Sequence, residues 1–133
     1  MNNKPFALIG AELRGNDVHA NYERNSELRL DLVNLGLSFV GVTNVSRKGI
    51  SSQVFIVETS DELAIAYLAR KYEQKSILVS KNGTTEVVAT KSSNGRKSLG
   101  KFESVTKAIA TKASFHIKFI DGGREYFYIT TKG

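Results

Sequence analysis

The stretch Ser26-Glu-Leu-Arg-Leu-Asp-Leu-Val-Asn-Leu35, followed at once by Ser38-Phe-Val-Gly-Val-Thr-Asn-Val45, decides the reading of the fold. In the first part Leu28, Leu32 and Leu35 recur at i, i+4 and i+7, which predicts a helix with one apolar face; Ser26 is placed to cap its start and Gly36 to end it. The second part reads as a strand, and Gln53-Val-Phe-Ile-Val-Glu58 as its neighbour across Arg47-Lys48-Gly49. Upstream, Phe6-Ala-Leu-Ile-Gly-Ala-Glu-Leu13 reads as a first, largely buried strand. Downstream, Ser60 to Tyr72 reads as a second helix, with Thr59 and Glu62 as a capping box and Arg70-Lys71 in the last turn. Ser76–Ser80 and Glu86–Thr90 form an expected hairpin turning at Asn82-Gly83, and Ser114–Ile120 with Arg124–Thr130 a second one turning at Asp121-Gly-Gly123. Phe102 to Thr111 is left without an assigned element. The order β-α-β-β-α-β followed by extra β predicts one α+β domain over residues 1–133. Its expected fold is ferredoxin-like (split βαβ): one antiparallel sheet, two helices on one face and extra C-terminal hairpins.

A chain of 133 residues holds enough apolar surface for one self-sufficient core. It has no cysteine, which excludes disulfides, thiol nucleophiles and thiolate metal sites, and its two histidines, His19 and His116, rule out a three-histidine zinc site. Neither a membrane span nor a secretory leader is legible, so a cytoplasmic protein is expected. The charge is uneven. Residues 1–80 balance nine basic against nine acidic groups, while residues 81–133 set ten against four, so the whole net charge of +6 falls in the C-terminal part. A basic half of this kind suits phosphate or nucleic acid, or simply a solvated face. Lys91-Ser-Ser-Asn-Gly-Arg-Lys-Ser98 is the best local candidate for phosphate contact, although it lacks the spacing of a P-loop.

The polar residues suggest two groups. Arg14 and Asn16 after the first strand, with Asn21 and Arg24 before the first helix, form a cluster able to hold a carboxylate or ribose hydroxyls, or equally to tie down the connection. Among the acids, Glu73 ends the second helix where a negative charge opposes the helix dipole, Glu86 follows the Asn-Gly turn, and Glu103 lies in a basic stretch. His116 alternates with Phe115, Ile117 and Phe119 and is expected opposite the apolar face, exposed or partly covered on the sheet, and His19 is expected on the surface.

Taken in order, Arg14-Gly-Asn16, Asn21-x-x-Arg24, the leucines up to Gly36-Leu37, the helix ending in Glu73-Gln74 before Ser76-Ile-Leu-Val79, and Gly123-Arg124 before Tyr126 resemble the phage-encoded S-adenosylmethionine (SAM) hydrolases, now understood as SAM lyases. The likeness runs from about Phe6 to Tyr128 as scattered positions, and it extends to small uncharacterised phage and bacterial domains. It implies a fold related to the trimeric PII signalling proteins, a homotrimer binding SAM between subunits in the host cytoplasm, and no cofactor. The implied reaction is cleavage of SAM to methylthioadenosine and homoserine lactone, countering restriction or other SAM-dependent defence. The substrate's own carboxylate attacks, so the protein needs chiefly to orient it and to hold its ammonium. The family places a tyrosine and acidic residues before the third strand, where this chain has Ser46-Arg-Lys-Gly-Ile-Ser-Ser-Gln53. By default the resemblance then assigns catalysis to Glu86 and Glu73, and substrate binding to Arg14, Asn16, Asn21, Arg24 and Gln74. Two other expectations stand beside the lyase: a silent trimeric module binding a nucleotide-like ligand or a host protein, and, ranked third, a nucleic-acid binder using the basic half.

Overall fold

The computed structural model describes residues 4–91 and 95–132, so the middle of the Lys91–Ser98 loop, Ser92-Ser93-Asn94, lies outside the described residues. Those described form β1 (Phe6–Gly10), α1 (Val18–Asn34), β2 (Ser38–Ser46), β3 (Ser51–Glu58), α2 (Glu62–Lys71), β4 (Ser76–Lys81), β5 (Thr84–Ala89), β6 (Arg96–Gly100), β7 (Phe102–Val105), α3 (Lys107–Ala110), β8 (Phe115–Asp121) and β9 (Arg124–Thr130). All strands belong to one sheet in the order β6-β5-β4-β1-β3-β2-β8-β9-β7, with antiparallel pairing throughout. Among the described residues no helix is long and apolar enough to cross a membrane.

Because successive side chains point to opposite faces of a strand, the sheet has two cores. Ala7 and Ile9 of β1, Phe55 and Val57 of β3, and Ile77 and Val79 of β4 face the helices, where they pack with Leu28 and Leu32 of α1 and Ile65, Leu68 and Ala69 of α2. Their neighbours Phe6, Leu8, Val54 and Ile56 face the other way and join Val42 and Ile117, with Phe102, Phe119 and Tyr128 packed around them. Phe102 plugs that second core by meeting Phe6 edge-on at 5.3 Å and stacking on Tyr128 at 5.2 Å.

The second core exists because the sheet curls around it, and this corrects the expected fold. The chain is not a ferredoxin-like split βαβ sheet with hairpins appended; it is mostly an antiparallel sheet of nine strands, nearly closed like a barrel, with little helix. The finding that overturns the expectation lies in residues 96–105, which carry no strand signal in the sequence. They form β6 and β7, the two outermost strands of the sheet, yet only Lys101 separates them in the chain. The two margins are laced together where Lys132 N donates to Leu99 O (2.8 Å), Thr131 N to Lys101 O (2.9 Å) and Lys101 N to Thr131 Oγ1 (2.8 Å). Closure is partial: β6 and β7 remain the end strands of the sheet and are joined only at this corner.

Smaller corrections follow from local chemistry. The first helix begins at Val18, not Ser26, because Asp17 caps it by accepting a hydrogen bond from Ala20 N (2.7 Å), and the added turns bury only Asn25. The second helix is capped by Asp61, whose carboxylate accepts from Ala64 N, while Thr59 Oγ1 accepts from Asp61 N. His116 is not on an open face: it is 6% exposed, meets Phe127 at 5.7 Å, and hydrogen-bonds the Ala110 backbone of α3, the short helix that covers this side of β8 and β9. The Asn82-Gly83 turn is as expected, with both residues at positive φ (53° and 79°).

Candidate functional site

The concave side of the curled sheet leaves a cleft of about 490 Å³ where the curl is incomplete. Strand alternation supplies its walls: Leu8, Val54, Leu78, Val87 and Leu99 are apolar, and Phe115 from β8 closes one side. Polar groups enter from the strand ends, with Asn44 of β2, Ser52 of β3, Ser76 of β4 and Lys97 of β6. Gly10 forms the floor; a Cβ there would lie 3.3 Å from both Gln74 Oε1 and Val54 Cγ1, so the absence of a side chain keeps the cleft open beneath the Gln74 amide. Gln74 is fixed by its Nε2, which donates to Glu12 O (3.1 Å) and Tyr72 O (3.0 Å), leaving Oε1 over Gly10. An apolar concavity with a few converging amides, hydroxyls and one cation is the usual make-up of a small-molecule site.

The electrostatics are one-sided. No carboxylate lines the cleft. The acids are engaged elsewhere: Glu58 with Lys4 (3.2 Å), Asp31 with Lys71 (2.9 Å), Glu62 and Glu86 with Arg96 (2.7 and 2.9 Å), and Glu125 with Lys118 (3.7 Å). Among the described residues Lys97 has no carboxylate partner, and neither do Lys75 and Lys91 nearby. No group of three or more metal-ligating side chains occurs among the described residues.

The structure brings together only some of the residues singled out in the sequence. Gln74 reaches the cleft. Asn21 grips the backbone of Leu13, its Oδ1 accepting from Leu13 N (2.9 Å) and its Nδ2 donating to Leu13 O (3.2 Å). Arg24 donates to Ala11 O (2.6 Å) and to Tyr72 O, and its guanidinium lies 3.6 Å from the Glu73 carboxylate. Asn21 and Arg24 therefore tie the exit of β1 to both helices, which is the plainer of the two roles the sequence allowed. Arg14 and Asn16 stand on the exposed turn before Asp17. Glu73 occupies the left-handed position after α2, at φ 60°, where glycine or asparagine is usual. Glu86 is apart from all of these: it faces the helix side of β5 and shares Arg96 with Glu62 at the start of α2, whereas Glu73 and Gln74 follow its end. A single site built from all seven residues is therefore not what the fold assembles.

Sequence reasoning missed Glu12 and Asn44. Glu12 sits two residues past the end of β1, where its Oε2 accepts from Asn25 Nδ2 (2.9 Å) and Gln53 N (2.8 Å), anchoring β3 and α1 to one carboxylate. An acid inside an otherwise apolar run was the available signal. Asn44 carries no local signal at all, since only the curl of the sheet turns it toward Gln74. No family model matches this chain, and no curated protein is significantly similar to it in sequence.

Proposed function

We propose that this protein is a binding module for an anionic, nucleotide-like ligand, held in the concave cleft and not chemically altered there. The observation that carries the reading is Lys97, a cation without a carboxylate partner among the described residues, on the wall of a cleft that offers amides, hydroxyls and an aromatic ring but no acid. Such a lining suits a base or nucleoside against Phe115 and the leucines, with base or ribose groups hydrogen-bonded to Asn44, Gln74 and the serines and the phosphate on Lys97. It suits SAM poorly, because SAM carries a sulfonium and an ammonium and would find no compensating carboxylate.

The SAM lyase reading keeps one specific support, Glu73, an acid in an unusual backbone conformation beside Gln74, in a depression that adjoins the cleft. The two readings diverge in one experiment. Purified protein is titrated calorimetrically with adenosine monophosphate and with SAM, and the SAM mixture is searched for methylthioadenosine. Nucleotide binding without methylthioadenosine is the expected result. Lys97→Gln should weaken it roughly ten- to a hundredfold, the equivalent of one charged hydrogen bond of about 1.5–3 kcal/mol. Methylthioadenosine accumulating in proportion to protein, and lost in Glu73→Gln, overturns this reading in favour of the lyase. The cleft is built from one chain, so the proposed binding needs no partner copy; a homotrimer by light scattering with ligand bound only as a trimer would favour the subunit-interface arrangement implied by the resemblance.

A further inference from the structure

We infer that the ligand is a run of single-stranded nucleic acid, with one nucleotide seated in the concave cleft and the strand continuing across a second depression beside it; this rests on the cleft reading above. The second depression, about 530 Å³, is lined by Arg70, Glu73, Gln74, Lys75, Ala89 and Lys91. Gln74 belongs to both, so the two are contiguous. Among the described residues Lys75 and Lys91 have no carboxylate partner, and the one acid of the depression, Glu73, has its charge offset by Arg24 at 3.6 Å. Arg70 is held in place by donating to Thr90 O (2.9 Å).

The count of cations decides the ligand class. Lys97 alone answers the phosphate of a mononucleotide. Lys75, Lys91 and Arg70 then form a surplus of positive charge next to that phosphate, which only a ligand carrying further phosphates along a line would use. The apolar walls Leu8, Val54 and Leu99 and the Phe115 ring decide between strands. A duplex keeps its bases stacked inside and presents only its backbone and groove edges, so its bases could not enter the cleft. An unpaired base can, as in other surfaces that combine a basic track with a ring to stack on.

Fluorescence anisotropy with a labelled dodecathymidylate, and competition by thymidine monophosphate, tests this on the whole chain. The oligomer should bind at least roughly tenfold tighter than the monophosphate, with an affinity that falls linearly with salt on logarithmic axes. Changing Lys75→Gln and Lys91→Gln together should weaken the oligomer roughly tenfold and flatten the salt slope by about 1.4, two single-strand contacts at about 0.7 each, while leaving the monophosphate unaffected. Lys97→Gln should weaken both. An oligouridylate arm separates RNA from DNA. If the monophosphate binds through Lys97 but the oligomer gains nothing, or the double variant leaves the slope unchanged, the strand path is wrong and the cleft reading stands. If neither ligand responds to Lys97→Gln, the cleft reading falls and this inference with it. A duplex that binds as tightly as the single strand also overturns it.

Discussion

At the scale of single residues, Glu73 and His116 are side chains whose surroundings run against their chemistry. Glu73 holds φ 60° after α2, a conformation that costs a residue with a Cβ about 1–2 kcal/mol, and its exposed pairing with Arg24 returns little of that. Glu73→Gly should therefore raise stability by about 1 kcal/mol in urea unfolding, and a loss of stability would mean that the carboxylate matters more than its backbone. Arg24→Ala should do the opposite, costing about 2–3 kcal/mol, because it strips charged donors from the carbonyls of Ala11 and Tyr72. For His116, burial pushes the imidazole pKa below its ordinary 6.5, outweighing the hydrogen bond to the Ala110 backbone, which acts the other way, while Lys118 adds to the lowering. The unfolded chain then takes up the proton first, so the contribution of this residue is fully present above 6.5 and is lost as pH falls through the lowered value. Unfolding free energies measured between about pH 7.5 and 5.5 should decline in the wild type and decline less in His116→Gln.

At the scale of elements, the seam between β6 and β7 depends on Gly100, whose φ is 77° and whose missing side chain makes room for Thr131 Oγ1. Gly100→Ala should destabilise by about 2 kcal/mol or more, since it adds a left-handed penalty and displaces the Thr131 hydroxyl from its hydrogen bond with Lys101 N. Thermal denaturation reads this directly, and an unchanged midpoint would show that the seam contributes nothing. The elements with a strong period or charge pattern were legible in the sequence: α1 from Leu28 and Leu32, although Leu35 is its exposed C-cap, α2 from Glu62 in its first turn and Arg70-Lys71 in its last, though its cap is Asp61, and the Asn82-Gly83 hairpin from its turn. Those that were not legible lack such a period. Val18–Asn25 is helical although mostly polar and with only Asn25 buried, and β6 reads Arg-Lys-Ser-Leu-Gly, in which only Leu99 is buried. A basic five-residue segment looks like loop until a partner strand is supplied, and β5 supplies it from the preceding hairpin.

At the scale of the molecule, the cleft was the least legible feature, because β1, β2, β3, β4, β5, β6 and β8 each contribute to it and no two of its polar groups form a motif. Ser52 and Lys97 stood out in the sequence for other reasons, and Gln74 through a resemblance, but their meeting depends on how far the sheet curls. Charge behaves similarly: the excess looked like a property of residues 81–133, yet Lys75 from the neutral part joins Lys91 beside the cleft, while Arg96 is absorbed by Glu62 and Glu86. The Arg96 hydrogen bond holds the Glu62 carboxyl below its ordinary value despite partial burial, so this pair supports the fold above the usual carboxylate range and releases it as pH falls through the lowered value. Acid titration of Glu62→Gln should accordingly show a shallower loss of structure below about pH 4.

The seam also has a consequence for how copies of this chain meet one another. Both margins of the sheet belong to consecutive segments, β6 and β7, so a molecule whose Gly100 turn is sprung loses the corner that holds its two end strands together. End strands freed in this way accept a strand from a neighbour as readily as from their own chain. Loosening one glycine would thus favour strand exchange between copies, and Gly100→Ala protein should scatter more light than the parent at equal, high concentration.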